Sequence, residues 1–117
     1  MTRRTEQINS LLREEISAII SREIKDPRVS AMVSVTDVDT SPDLSRALVY
    51  VSLLGTPDEA EESFSVISAA GSFIRHELRG RLSLHRIPTL AFKRDESIER
   101  GARLSRLIDE ASPPPAE

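Results

Sequence analysis

The sequence predicts one α+β domain, a three-stranded sheet packed by helices. Three patterns point there: a long stretch with apolar residues at helical spacing, two stretches with apolar residues at alternate positions, and a second helical stretch interrupted by a glycine. A chain of 117 residues is of single-domain length. The domain is expected over residues 1–110. A disordered tail is expected over 111–117, where Pro113, Pro114 and Pro115 stand in a row.

In the first stretch, Ile8, Leu11, Leu12, Ile16, Ile19, Ile20 and Ile24 recur at spacings that place them on one helix face. Arg4, Glu6, Arg13, Glu14 and Arg22 occupy the other face. Asp26-Pro27 ends the helix, because a residue before proline is pushed out of the helical region. From Met32 to Val38 and from Arg46 to Leu54 the period changes to two, and Ser41-Pro42-Asp43 between them is a turn cluster, so an antiparallel hairpin is expected. Asp37-Val38-Asp39 breaks the alternation and predicts a bulge or an early strand end there.

Thr56-Pro57-Asp58-Glu59 is a dense helix-start signal: a threonine cap, a proline for the first turn, and a glutamate that completes a capping box. Phe64, Ile67, Ala70, Ile74 and Leu78 carry the apolar stripe to Gly80, the expected terminator. Gly71 interrupts that stripe and marks a kink or a close packing contact, since glycine costs about 1 kcal/mol relative to alanine in a straight helix. A kink there predicts a second helix start at Ser72-Phe73-Ile74, with Ser72 as cap and free N–H groups available to an anion. A loop is expected over 81–87, then a short strand opened by Pro88 with Leu90 and Phe92 on one side. A short C-terminal helix, capped by Asp95 or Ser97, is expected last.

Composition excludes several classes. The chain has no cysteine, so disulfides, thiolate metal sites and thiol nucleophiles are absent, in keeping with a reducing cytoplasm. Its longest unbroken apolar run spans residues 47–51, far short of the about 20 a membrane helix needs. His76 and His85 have no carboxylate or serine at a recognisable spacing and read as surface side chains. Asp58, Glu59, Glu61 and Glu62 read as a face complementing a helix dipole rather than as a metal site. No phosphate-binding loop, dinucleotide fingerprint or nucleophile elbow is present. Neither catalytic residues, a metal nor a cofactor is expected.

The charge is unevenly spread. Net charge is −3, yet the stretch 75–106 carries +5 and the remainder −8. Fourteen of the sixteen basic residues are arginines, whose planar fork grips phosphate oxygens in pairs. Arg75, Arg79, Arg81, Arg86, Lys93 and Arg94 are therefore the expected RNA contacts. Phe64, Phe92 and Tyr50 lie on apolar patterns, so stacking platforms are not expected, and the arginines imply phosphate contact more than base readout. The rival reading is a protein-interaction module using the acidic 58–62 face, with the arginines merely solvated.

The chain also resembles a known family, ribosome-binding factor A, from Arg4 to Ile108. The resemblance rests on the first helix ending in Lys25-Asp26-Pro27-Arg28, on Val35-Thr36-Asp37-Val38, and on Ser41-Pro42-Asp43-Leu44. It rests further on Ala47-Leu48-Val49-Tyr50-Val51-Ser52, on Ala69-Ala70-Gly71-Ser72-Phe73-Ile74-Arg75, on Arg86-Ile87-Pro88-Thr89-Leu90-Ala91-Phe92 and on Asp95-Glu96-Ser97-Ile98. It implies a type II KH-like fold in which Ala69-Ala70-Gly71 replaces the Gly-x-x-Gly loop of ordinary KH domains with an Ala-x-Gly kink. It also implies a monomeric, cytoplasmic, non-enzymatic assembly factor. Its expected partners are the immature 30S ribosomal subunit and 16S rRNA near the neck, with no membrane and no small-molecule substrate. Late maturation of the 16S ends and departure before translation are implied as well, and often a link to growth in the cold. Some members carry a longer C-terminal extension than the short tail found here.

Overall fold

The computed structural model describes residues 3–84 and 86–97. His85, the expected C-terminal helix and the proline-rich tail lie outside them. The described elements are α1 (Arg3–Glu23), β1 (Met32–Thr40), β2 (Arg46–Leu54), α2 (Pro57–Ala69), α3 (Gly71–Arg81) and β3 (Thr89–Arg94). β1 and β2 pair antiparallel, β2 and β3 pair parallel, and the sheet order is β1-β2-β3. This is the expected KH-like order, and the α+β class holds.

The core forms where the helices meet one face of the sheet. Leu12, Ile16 and Ile19 of α1 are fully buried with Val49 and Val51 of β2, Ile67 of α2, and Ile74 and Leu78 of α3. Leu11 departs from the expected stripe and is 37% exposed. Two polar residues take inward positions instead: Thr5 and Asn9 are buried, and the Asn9 Oδ1 accepts the Thr40 N–H at 3.0 Å. That bond satisfies the backbone where β1 ends and explains why the strand reaches Thr40 rather than stopping early.

The bulge lies at Thr36, one residue before the expected place, with the register shifting between Val35 and Asp37. The extra residue resets the alternation. Val33 and Val35 precede the bulge on the helix-covered side, and Val38 and Thr40 follow it there. Thr36 Oγ1 donates to Asp95 Oδ2 at 2.7 Å, while the Asp95 N–H bonds to Val51 O at 2.7 Å. The bulge thus ties the two edges of the sheet together across β2. Alternation alone cannot place a bulge that depends on a partner far along the chain.

The second helix begins as expected. Glu59 N–H donates to Thr56 Oγ1 at 3.2 Å, and Thr56 N–H to Glu59 Oε1 at 2.8 Å. Those bonds hold the Glu59 carboxyl below its usual range. α3 runs past Gly80 to Arg81, so Gly80 is not the terminator, and the loop begins at Leu82. Arg81 stays helical because its guanidinium lies among Glu77, Glu23 and Glu15, at 4.0, 3.3 and 4.0 Å. This cluster joins the end of α3 to α1.

Candidate nucleic-acid interface

The helix pair α2–α3 is interrupted at Ala70, not at the glycine. Ala70 has φ −87° and ψ 7°, in the bridge region, and its N–H still reaches Val66 O and Ile67 O at 3.1 Å each. Gly71 has no positive φ. A Cβ there would stand 3.5 Å from Phe92 Cε2 and 3.9 Å from Leu90 O, which is ordinary contact. Ser72 makes no cap, and the Ile74 N–H is already bonded to Ala70 O at 2.9 Å. The expected open helix start at 72–74 is therefore corrected: of Ala69, Ala70, Gly71 and Ser72 only Ala70 leaves the helical state, and the backbone ladder is nearly continuous across it.

The six expected RNA contacts divide by what surrounds them. Arg75 is half-buried and turned onto the chain before β3. Its Nη2 donates to Ile87 O at 3.0 Å, and its Nε to Ile87 O and Pro88 O at 3.2 Å each. This clamp fixes α3 against the connection that carries Arg86. Arg81 is committed to its three glutamates. Arg94 shares the helix-covered side of β3 with Leu90 and Phe92, and its buried Nε has no hydrogen-bond partner among the described residues. Arg79, Arg86 and Lys93 are exposed and form no ion pair among the described residues.

Arg86 is held near the hairpin turn. The Asp43 carboxylate accepts from Ser45 Oγ at 2.7 Å, Ser41 Oγ at 2.8 Å and Ser45 N–H at 3.1 Å. Those bonds, with the nearby positive charge of Arg86, push its pKa down to about 2. Leu44 takes φ 61° in this turn so that its side chain packs against the core. The turn also meets β3 directly, through a 3.0 Å bond from the Thr89 N–H to Ser45 O.

Two further residues belong to this surface and were absent from the expected set. Arg46 is exposed on the sheet face away from the helices, and β3 places Lys93 on that same face through the pairs Arg46–Thr89 and Tyr50–Lys93. The alternation of β2 signals this position, but Arg46 lies outside the basic stretch. Phe73, 42% exposed on α3, is an aromatic surface that a stripe-based reading does not show. Asp58, Glu61 and Glu62 line a separate, solvent-open groove with Ser65 on α2. Among the described residues, no group of three or more acidic or histidine side chains is placed to hold a metal ion, and no helix is long and apolar enough to cross a membrane.

Residues 4–108 match the family model for ribosome-binding factor A. The chain belongs to that family. It is 42% identical over 110 residues to ribosome-binding factor A of Caldanaerobacter subterraneus subsp. tengcongensis, covering 94% of this chain and 90% of the relative. Its fold resembles the crystal structure of ribosome-binding factor A from Thermus thermophilus, with TM-score 0.67, 24% identity and coverage of 77% of this chain and 94% of the other. It also resembles a homology model of the Thermus thermophilus factor fitted into a cryo-electron-microscopy map of a 30S complex. There the TM-score is 0.63 and identity 25%, over 75% of this chain and 91% of the other.

Proposed function

We propose that this family member is a non-enzymatic assembly factor of the bacterial small ribosomal subunit. It binds the immature 30S particle through 16S rRNA, assists late maturation of the 16S ends and dissociates before translation. Family membership carries this reading, and the fitted 30S complex of the Thermus thermophilus factor supports its partner. Arg79, Arg86 and Lys93, with Arg46 on the same sheet face as Lys93, offer the phosphate contacts. Arg75 and Arg81 position that surface rather than touch RNA. The working unit is one domain over residues 1–110, monomeric and cytoplasmic, acting without a cofactor.

Sedimentation of a lysate tests this. The protein should travel with small subunits and not with translating ribosomes, and cells lacking it should accumulate 16S precursors with unprocessed ends. A protein found only in the free fraction, or on translating ribosomes, overturns the reading.

A further inference from the structure

We infer that the outward face of α3 takes an unpaired segment of RNA, with Phe73 stacking one base and Arg79 holding a neighbouring phosphate; this rests on the ribosomal reading above. Ile74 and Leu78 are fully buried and fix which side of the helix faces the core. Ser72, Phe73, His76, Arg79 and Gly80 all lie exposed on the opposite side. At 100° per residue, Phe73 and Arg79 flank that face with His76 between them, and they stand about 9 Å apart along the axis. Among the described residues, nothing beyond the helix's own backbone and the chain neighbours lies within 4 Å of the position a Gly80 Cβ would take, so the approach there is open.

The chemistry of the face selects its occupant. An apolar ring next to two nitrogen-bearing side chains suits a flat base with a phosphate attached, because stacking uses the ring and the phosphate uses the cation. A duplex hides its base faces and offers the ring nothing. Glu77 stands one turn along the helix from Phe73, and its carboxylate lies 4.0 Å from Arg81 Nε, which offsets its repulsion of phosphate. Phe73 sits at the start of α3, beside the break at Ala70, and Arg75 holds this helix against the Arg86 connection. The ring and the two exposed arginines therefore keep a fixed relation.

The chain contains no tryptophan, so Phe73→Trp installs a single indole reporter. Oligouridylate should quench its emission, and a duplex RNA should not. Phe73→Leu, which keeps the surface apolar without a ring, should weaken oligouridylate binding about fivefold to a hundredfold and leave the salt slope unchanged. Arg79→Gln should lower that slope by about 0.7. Melting temperatures of both variants should match the wild type, since both side chains are exposed. Equal quenching by duplex, wild-type affinity in Phe73→Leu, or no oligouridylate binding by the unmodified chain overturns the inference. Small-subunit binding is measured in parallel. If the unmodified chain binds subunits while Phe73→Leu changes nothing, only this inference fails; if it does not bind them, the ribosomal reading fails.

Discussion

Two sets of arginines on neighbouring stretches of this fold end in different circumstances. Toward α1 and the sheet, Arg75 and Arg81 are committed: one to the carbonyls of Ile87 and Pro88, the other to Glu15, Glu23 and Glu77. Toward solvent, Arg79 and Arg86 have no ion pair among the described residues. Residue type and position in a basic stretch do not separate the two sets; what lies within reach of each guanidinium does. A positive stretch read from sequence therefore does not show how many of its arginines stand free, since part of its charge is engaged within the fold.

The comparison is sharpened first by its supporting layer. Ile16 has 0% exposure in the core shared by α1, the sheet and α3, so Ile16→Ala should cost about 2–5 kcal/mol in urea unfolding. Next is the committed set. Arg75→Gln removes the charge-assisted bonds to Ile87 and Pro88 and should cost about 1.5–3 kcal/mol, also read by urea unfolding. An unchanged midpoint would move Arg75 into the exposed set. Third, Gly71→Ala should stabilise by up to about 1 kcal/mol in thermal unfolding, because φ there is not positive and the added methyl meets Phe92 at ordinary contact distance. A loss would mean that the break at Ala70 depends on the glycine.

The smallest effect concerns the hairpin turn beside Arg86. Asp43 titrates at about 2, below the usual 3.8, so its contribution is present above about pH 4 and lost as pH falls toward 2. Asp43→Asn should lower the melting temperature slightly at neutral pH, a small effect because the group is exposed, and flatten the acid limb so that the two profiles converge toward pH 2. An acid limb identical to the wild type would remove Asp43 as a source of that pH dependence.

Local signals made much of this fold legible. The Thr56–Glu59 capping box, the alternating hairpin and the buried stripes of α1 and α3 depend on residues close in sequence, and all appear. What escaped depends on distant partners. Thr36 bulges toward Asp95, α3 passes Gly80 because Arg81 finds the glutamates of α1, and Asn9 is buried to serve Thr40. The candidate surface was legible as a charge excess but not as a division of labour, since that depends on where the connection before β3 returns. Arg46 was missed because strand pairing, not sequence proximity, places it on the same sheet face as Lys93.

The central claim, that the exposed arginines meet phosphate while the committed ones build the surface, is tested most directly by the salt dependence of small-subunit binding. Replacing Arg79 and Arg86 together by glutamine should lower the slope of log affinity against log salt by about 1.5, near 0.7–0.9 for each phosphate no longer neutralised. Arg75→Gln, assayed where it remains folded, should leave that slope at its wild-type value. A slope unchanged by the double replacement, or lowered as much by Arg75→Gln, would contradict the division.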